Sequence, residues 1–66
     1  MKNRLKVARA EADLTQEELA KLIGVSRQSI NAIESGRYVP STVLALKMAR
    51  VFGKRVDELF LLDDND

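Results

Sequence analysis

One glycine decides most of what this chain can become. Gly24 stands between two short helical patterns, with Leu19 and Ala20 before it and Val25, Ile30 and Ile33 after it. The first pattern opens at Thr15, and Glu18 three residues on completes a capping box. In that arrangement each side chain satisfies an orphan backbone N–H at the helix start. Leu14 and Leu19 flank the cap at the spacing of a hydrophobic staple. Glycine adopts the left-handed backbone that ends a helix without a Cβ penalty, so the pattern stops there. Ser26 then caps the next helix. Val25 and Ile30 repeat the staple spacing, and Ile30 and Ile33 share one face at i, i+3. Two short helices meeting at a tight turn follow from these residues. A close crossing of that kind needs a small residue, and Ala20 stands in position to supply it.

The other breaks fall at Gly36, Pro40 and Gly53, and they cut the rest of the chain the same way. A first helix is expected from Asn3 to Ala12, with Leu5, Val7 and Ala8 as its apolar stripe. A fourth follows Pro40, capped by Ser41, with Ala45, Met48, Ala49 and Phe52 inward and Gly53 as its stop. A fifth is expected over Val56 to Leu62, and Arg55 is a poor cap for it. Acidic Asp57 and Glu58 in its first turn favour the helix dipole and offset the poor cap. No segment alternates long enough to compete as a strand. The expected fold class is therefore all-α, a compact five-helix bundle. It forms one domain over residues 1–62, followed by a polar tail, Asp63 to Asp66, expected to fray.

Length matters because 66 residues bury only a modest core. The chain has no Cys and no His, which excludes disulfides and His/Cys zinc sites. Its stability must come from tight helix packing, completed by self-association. No run approaches the roughly 20 apolar residues of a membrane span, and residues 1–10 carry no signal-peptide pattern. The chain therefore reads as soluble and complete, with no membrane partner. The net charge of +1 hides an asymmetry: all 11 Lys and Arg lie within residues 1–55, and half of the 10 acidic residues lie beyond them. A basic body with an acidic end suits a polyanion binder, although any helical domain has charged faces. Without His or Cys there is no ready base or nucleophile, and no glycine-rich phosphate loop occurs. Neither an enzyme nor a metal or cofactor is expected.

The third helix carries the sharpest candidate. Arg27, Gln28 and Asn31 point away from Ile30 and Ile33, near the helix start. Arg can fork onto guanine, and Gln or Asn onto adenine, in the major groove. A solvated helix face also carries such residues. The stretch LTQEELAKLIGVSRQSINAIESGRYVPS resembles the phage repressor and Cro (Xre) family of helix-turn-helix proteins. Gln16, Ala20, Gly24, Val25, Ile30, Ile33 and Glu34 stand where that family expects them. The similarity runs from Leu5 to Phe60.

The resemblance implies a phage-repressor-type bundle whose helices 2 and 3 form the helix-turn-helix, over residues 16–35. It implies a DNA-binding transcriptional regulator, cytoplasmic and nucleoid-associated, of prokaryotic or phage origin. Arg27 and Gln28 become base readers, with Asn31 a third. Gln16, Ser26, Ser29, Arg37 and Tyr38 become phosphate contacts, which position a protein while base contacts specify the site. The family pairs an arginine of its first helix with the glutamate ending the third, here Arg9 and Glu34, as a structural ion pair.

A two-fold dimer reads two half-sites on double-stranded DNA, so a repressor of this size needs a self-association surface. Phe60, Leu61 and Leu62, with Val43 and Leu44, exceed what the core requires and are expected to supply it. The same fold also serves antitoxin-like or partner-binding modules, since fold does not fix function. Such a module would bind a protein partner that the sequence does not name.

Overall fold

The computed structural model describes all 66 residues. The order is β1 (Lys2–Asn3), α1 (Leu5–Ala12), α2 (Gln16–Ile23), α3 (Arg27–Glu34), α4 (Thr42–Phe52), α5 (Val56–Leu59) and β2 (Phe60–Leu61). Five helices therefore form, and no helix is long and apolar enough to cross a membrane.

The helix starts follow local chemistry. Thr15 Oγ1 accepts the N–H of Glu18 at 3.0 Å, and Glu18 Oε1 accepts the N–H of Thr15 at 2.9 Å. Ser26 and Ser41 cap α3 and α4 by accepting from Ser29 and Leu44. Gly24 ends α2 at φ +77°, a backbone region costly for residues with a Cβ. The poorly capped fifth helix has a start after all. Arg55 gives it no side-chain cap, but Glu58 reaches back to the Arg55 N–H at 2.8 Å.

The core joins all five helices. Leu5 and Ala8 of α1, Leu19, Ala20 and Ile23 of α2, Ile30 and Ile33 of α3, Met48 and Ala49 of α4, and Leu59 of α5 are buried together with Phe60. Removing one such aliphatic side chain costs about 2–5 kcal/mol. The core omits Val7, which the expected stripe of α1 includes but which is 57% exposed. Helix α2 packs mainly on α3, with the small side chain of Ala20 buried.

The two chain ends depart from the helical expectation. Helix α1 begins at Leu5, not Asn3, and α5 stops at Leu59 instead of continuing to Leu62. Of the residues so released, Asn3, Phe60 and Leu61 join Lys2 in a short antiparallel sheet, with Lys2 opposite Leu61 and Asn3 opposite Phe60. The Arg4 N–H donates to the Leu59 carbonyl at 2.8 Å and extends the pairing. A helix continued to Leu62 would strip β1 of these partners, and buried backbone groups must find some. Strands of two residues are also too short to show a period in the sequence. The tail is not frayed either: Asp63 and Asp66 bond each other and take the Met1 ammonium at 3.0 and 3.3 Å.

Phe60 is the residue this changes most. The sequence pattern puts it on an exposed self-association surface, yet it lies in the core at 8% exposure. Its extended backbone (φ −123°, ψ 133°) turns the ring inward. Leu61 is half-buried, whereas Leu62 and Val43 remain exposed. Leu44 packs on the edge of the core.

Candidate nucleic-acid interface

Helix α3 has two kinds of surface. Ile30 and Ile33 are fully or almost fully buried, and this pins the helix against α2 and the core. The opposite face then has to be presented outward. Arg27, Gln28 and Asn31 are exposed there. With Ala32 and Arg37 they line one open hollow. Arg27 also borders a second hollow, formed by the α1–α2 turn with Asp13, Thr15, Gln16 and Glu17. One arginine thus links the start of α2 to the face of α3.

The serines at the start of α3 are occupied with each other. Ser26 Oγ accepts the Ser29 N–H at 3.1 Å, and the two hydroxyls lie 3.0 Å apart. At the far end, Gly36 adopts φ +81° and turns the chain back over the last turn of the helix. The N–H groups of Arg37 and Tyr38 then both reach the Ala32 carbonyl, at 3.0 and 3.2 Å. This return lays Arg37 beside Asn31: Arg37 Nη2 donates to Asn31 Oδ1 at 3.1 Å, and Arg37 Nε donates to Ser35 Oγ at 3.0 Å. Tyr38 is half exposed just beyond.

Behind this face lies a closed polar network. Arg9 Nε donates to Glu34 Oε2 at 2.6 Å, and Nη2 donates to Glu34 Oε1 at 3.1 Å. The remaining Nη1 group donates to the Leu14 carbonyl at 2.9 Å. The Glu34 side chain is only 4% exposed and that of Arg9 15%. Hydrogen bonding to Glu34 raises the Arg9 pKa further above its ordinary value. Gln16 joins the same carboxylate, its Nε2 donating to Glu34 Oε1 at 3.1 Å. The amide placed at the start of α2 is therefore anchored to the end of α3.

Some of this was invisible in the sequence. Asn3 Nδ2 donates to the carbonyls of Ile33 and Glu34, closing the end of α3, while its Oδ1 accepts the Leu5 N–H. Nothing in the spacing of Asn3 pointed to a helix 30 residues away. The Arg37–Asn31 bond did have a signal, since a glycine just past a helix end makes the chain double back. No cluster of three or more acidic residues is placed to hold a metal ion.

A helix-turn-helix family model matches residues 5–59. The chain is 53% identical over 66 residues to an uncharacterized HTH-type transcriptional regulator of Methanocaldococcus jannaschii, with 100% of each chain covered. It is 42% identical over 66 residues to another from Bacillus subtilis, again with 100% of each covered. Among solved structures it is similar to the restriction-modification controller protein C.AhdI from Aeromonas hydrophila. That match has a TM-score of 0.77 and 36% identity, covering 85% of both chains.

Proposed function

The chain belongs to the Xre-type helix-turn-helix family of DNA-binding transcriptional regulators, and on that premise we propose that it is a homodimeric repressor reading a palindromic operator. In this reading α2 and α3 are the helix-turn-helix and α3 enters the major groove. The observation that carries it is the joint exposure of Arg27, Gln28 and Asn31 opposite buried Ile30 and Ile33. The polar side chains nearest the start of a recognition helix are the ones that reach base edges.

Around them, Gln16, Ser26, Ser29, Arg37 and Tyr38 serve as phosphate contacts. The N-terminus of α2 adds backbone N–H groups suited to an anion. The Arg9–Glu34 pair works from behind, setting the angle between the first and third helices. The family is one of regulators, not enzymes. Nucleoid association in the cytoplasm would follow from the DNA binding itself.

Dimerisation is assigned to the outer side of α4 and the chain end. Val43, 61% exposed, and Leu62, 80% exposed, are its strongest members, with Leu44 and Leu61 beside them. Val39 and Leu46 widen the same kind of apolar surface.

The test is selection from a random duplex DNA pool at two salt concentrations. An enriched two-fold palindrome, with half-site centres about 10 bp apart or a multiple, supports a dimeric sequence-specific regulator. Weak, salt-sensitive binding with no enriched sequence would leave only the phosphate term. The antitoxin-like, partner-binding reading would then take its place.

A further inference from the structure

Resting on the dimeric major-groove reading above, we propose that Asn3 is a positioning residue for DNA recognition. It ties the end of α3 to the chain-end sheet that leads to the dimer surface. It thereby sets how strictly the dimer demands one spacing between its two half-sites.

The Asn3 side chain has both ends committed. Its Oδ1 accepts the Leu5 N–H at 3.2 Å, and its Nδ2 donates to the Ile33 carbonyl at 2.9 Å and to the Glu34 carbonyl at 3.4 Å. A donor faces the oxygen and two acceptors face the nitrogen, so the partners fix the orientation of the amide. The last carbonyls of a helix have no partner within it. Here the Gly36 N–H donates to the Ile33 carbonyl at 3.1 Å, and Asn3 is what reaches Glu34. The Glu34 side chain is held by Arg9 and Gln16, which fixes the end of α3 to α1 and α2. Asn3 adds a tie to the chain ends.

From Asn3 the route outward is short. Its backbone stands opposite Phe60 in the β1–β2 pair, and the next N–H, that of Arg4, donates to the Leu59 carbonyl at 2.8 Å. Phe60 lines an apolar hollow with Val39, Leu46 and Val56. Leu61 and Leu62, of the proposed dimer surface, follow it directly. In the other direction, α3 spans about 10 Å from its clamped end at Glu34 to Arg27, at about 1.5 Å per residue. A lever of that length turns a small tilt at Glu34 into a displaced reader at Arg27, and side chains that recognise a partner must be held within about 0.5 Å. In a two-fold dimer the separation of the two recognition helices is set by the path from each of them to the shared surface, and the half-sites must match it. A stiff path rejects wrong spacings, and a loosened one tolerates them.

The experiment uses the full chain, its selected operator, and copies of that operator with one base pair inserted or removed at the centre of symmetry. Asn3→Asp keeps an acceptor for the Leu5 N–H but has no side-chain N–H for α3. Asn3→Leu has a similar shape and no charge. Each is checked for helix content by circular dichroism and for dimerisation by sedimentation. Both variants should select the wild-type half-site sequence. Both should bind the correctly spaced operator about two- to tenfold more weakly, the net worth of one hydrogen bond. They should lose less on the altered spacings, so the preference for the correct spacing falls. An equal loss at every spacing, or no loss at all, overturns the proposal, because a residue that merely supports the fold weakens all binding alike. A reduced preference in Asn3→Asp alone also overturns it, since repulsion between the new carboxylate and the helix end would then be the cause. So does loss of helix content or of the dimer in both variants, because Asn3 would then hold up the fold or the interface instead of aiming α3. A wild type that enriches no palindrome, or binds every spacing equally, removes the dimer reading beneath it.

Discussion

The two ends of α3 carry similar polar residues and put them to opposite uses. At the start, Arg27 and Gln28 are exposed and border open hollows. At the end, the Glu34 side chain is 4% exposed and shared between Arg9 and Gln16. A polar group whose partners all lie within the chain stabilises or orients the fold. One that is presented outward, with its neighbours held still, is available to a ligand. Asn31 stands between these cases, half committed to Arg37 and half free.

The largest effect should come from the closed end. Glu34→Ala leaves the part-buried Arg9 guanidinium without its carboxylate partner. Breaking one side of a fully buried pair costs about 3–5 kcal/mol, and solvent access to Arg9 brings this down to about 2–3 kcal/mol. Urea denaturation should show a loss of that order, and a change below about 1 kcal/mol would mean that water already screens the pair. The open end should behave in the opposite way. Arg27→Ala or Gln28→Ala should leave the urea midpoint almost unchanged yet lose about 1–3 kcal/mol of operator binding, with relaxed choice at one or two positions. Equal binding to every sequence before and after the change would move these residues out of the base-reading class.

Gln16 tests the boundary, because it joins the Glu34 network from the start of α2. Gln16→Ala should lose about 1 kcal/mol of stability, the net worth of one hydrogen bond. It should also weaken DNA binding evenly across sequences. A shift in base preference would place it among the readers instead. The smallest effect concerns acid. The Glu18 carboxylate is held below its ordinary value of 4.5, chiefly by the Thr15 backbone N–H. Its contribution is present above the unfolded value and is lost as pH falls through the lower, folded one. Stability measured from neutral pH down past 4.5 should therefore decline less steeply in Glu18→Gln than in the wild type. Parallel curves would assign the acid sensitivity to Asp57 and Asp66, whose values are also lowered.

Much of the candidate site was legible because it depends on neighbours in the chain. Capping at Thr15 and Ser26, the stop at Gly24 and the i, i+3 pair Ile30–Ile33 together determine which side of α3 faces out. The Arg9–Glu34 pair was legible only through resemblance to a family, since 25 residues separate the two. Asn3 closing the end of α3 and Gln16 reaching Glu34 had no local signal. Both depend on where separate helices come to rest.

The sequence by itself determined the five helices, their breaks and the polar face of α3. Those follow from propensities and periods acting within a few residues. Only the tertiary structure decided that the two chain ends pair as strands and that Phe60 belongs to the core. It also decided which polar side chains are used internally. Strand pairing and polar satisfaction are long-range matters: a backbone or amide group takes whichever partner the packed helices bring within about 3 Å, and no window along the chain contains that partner.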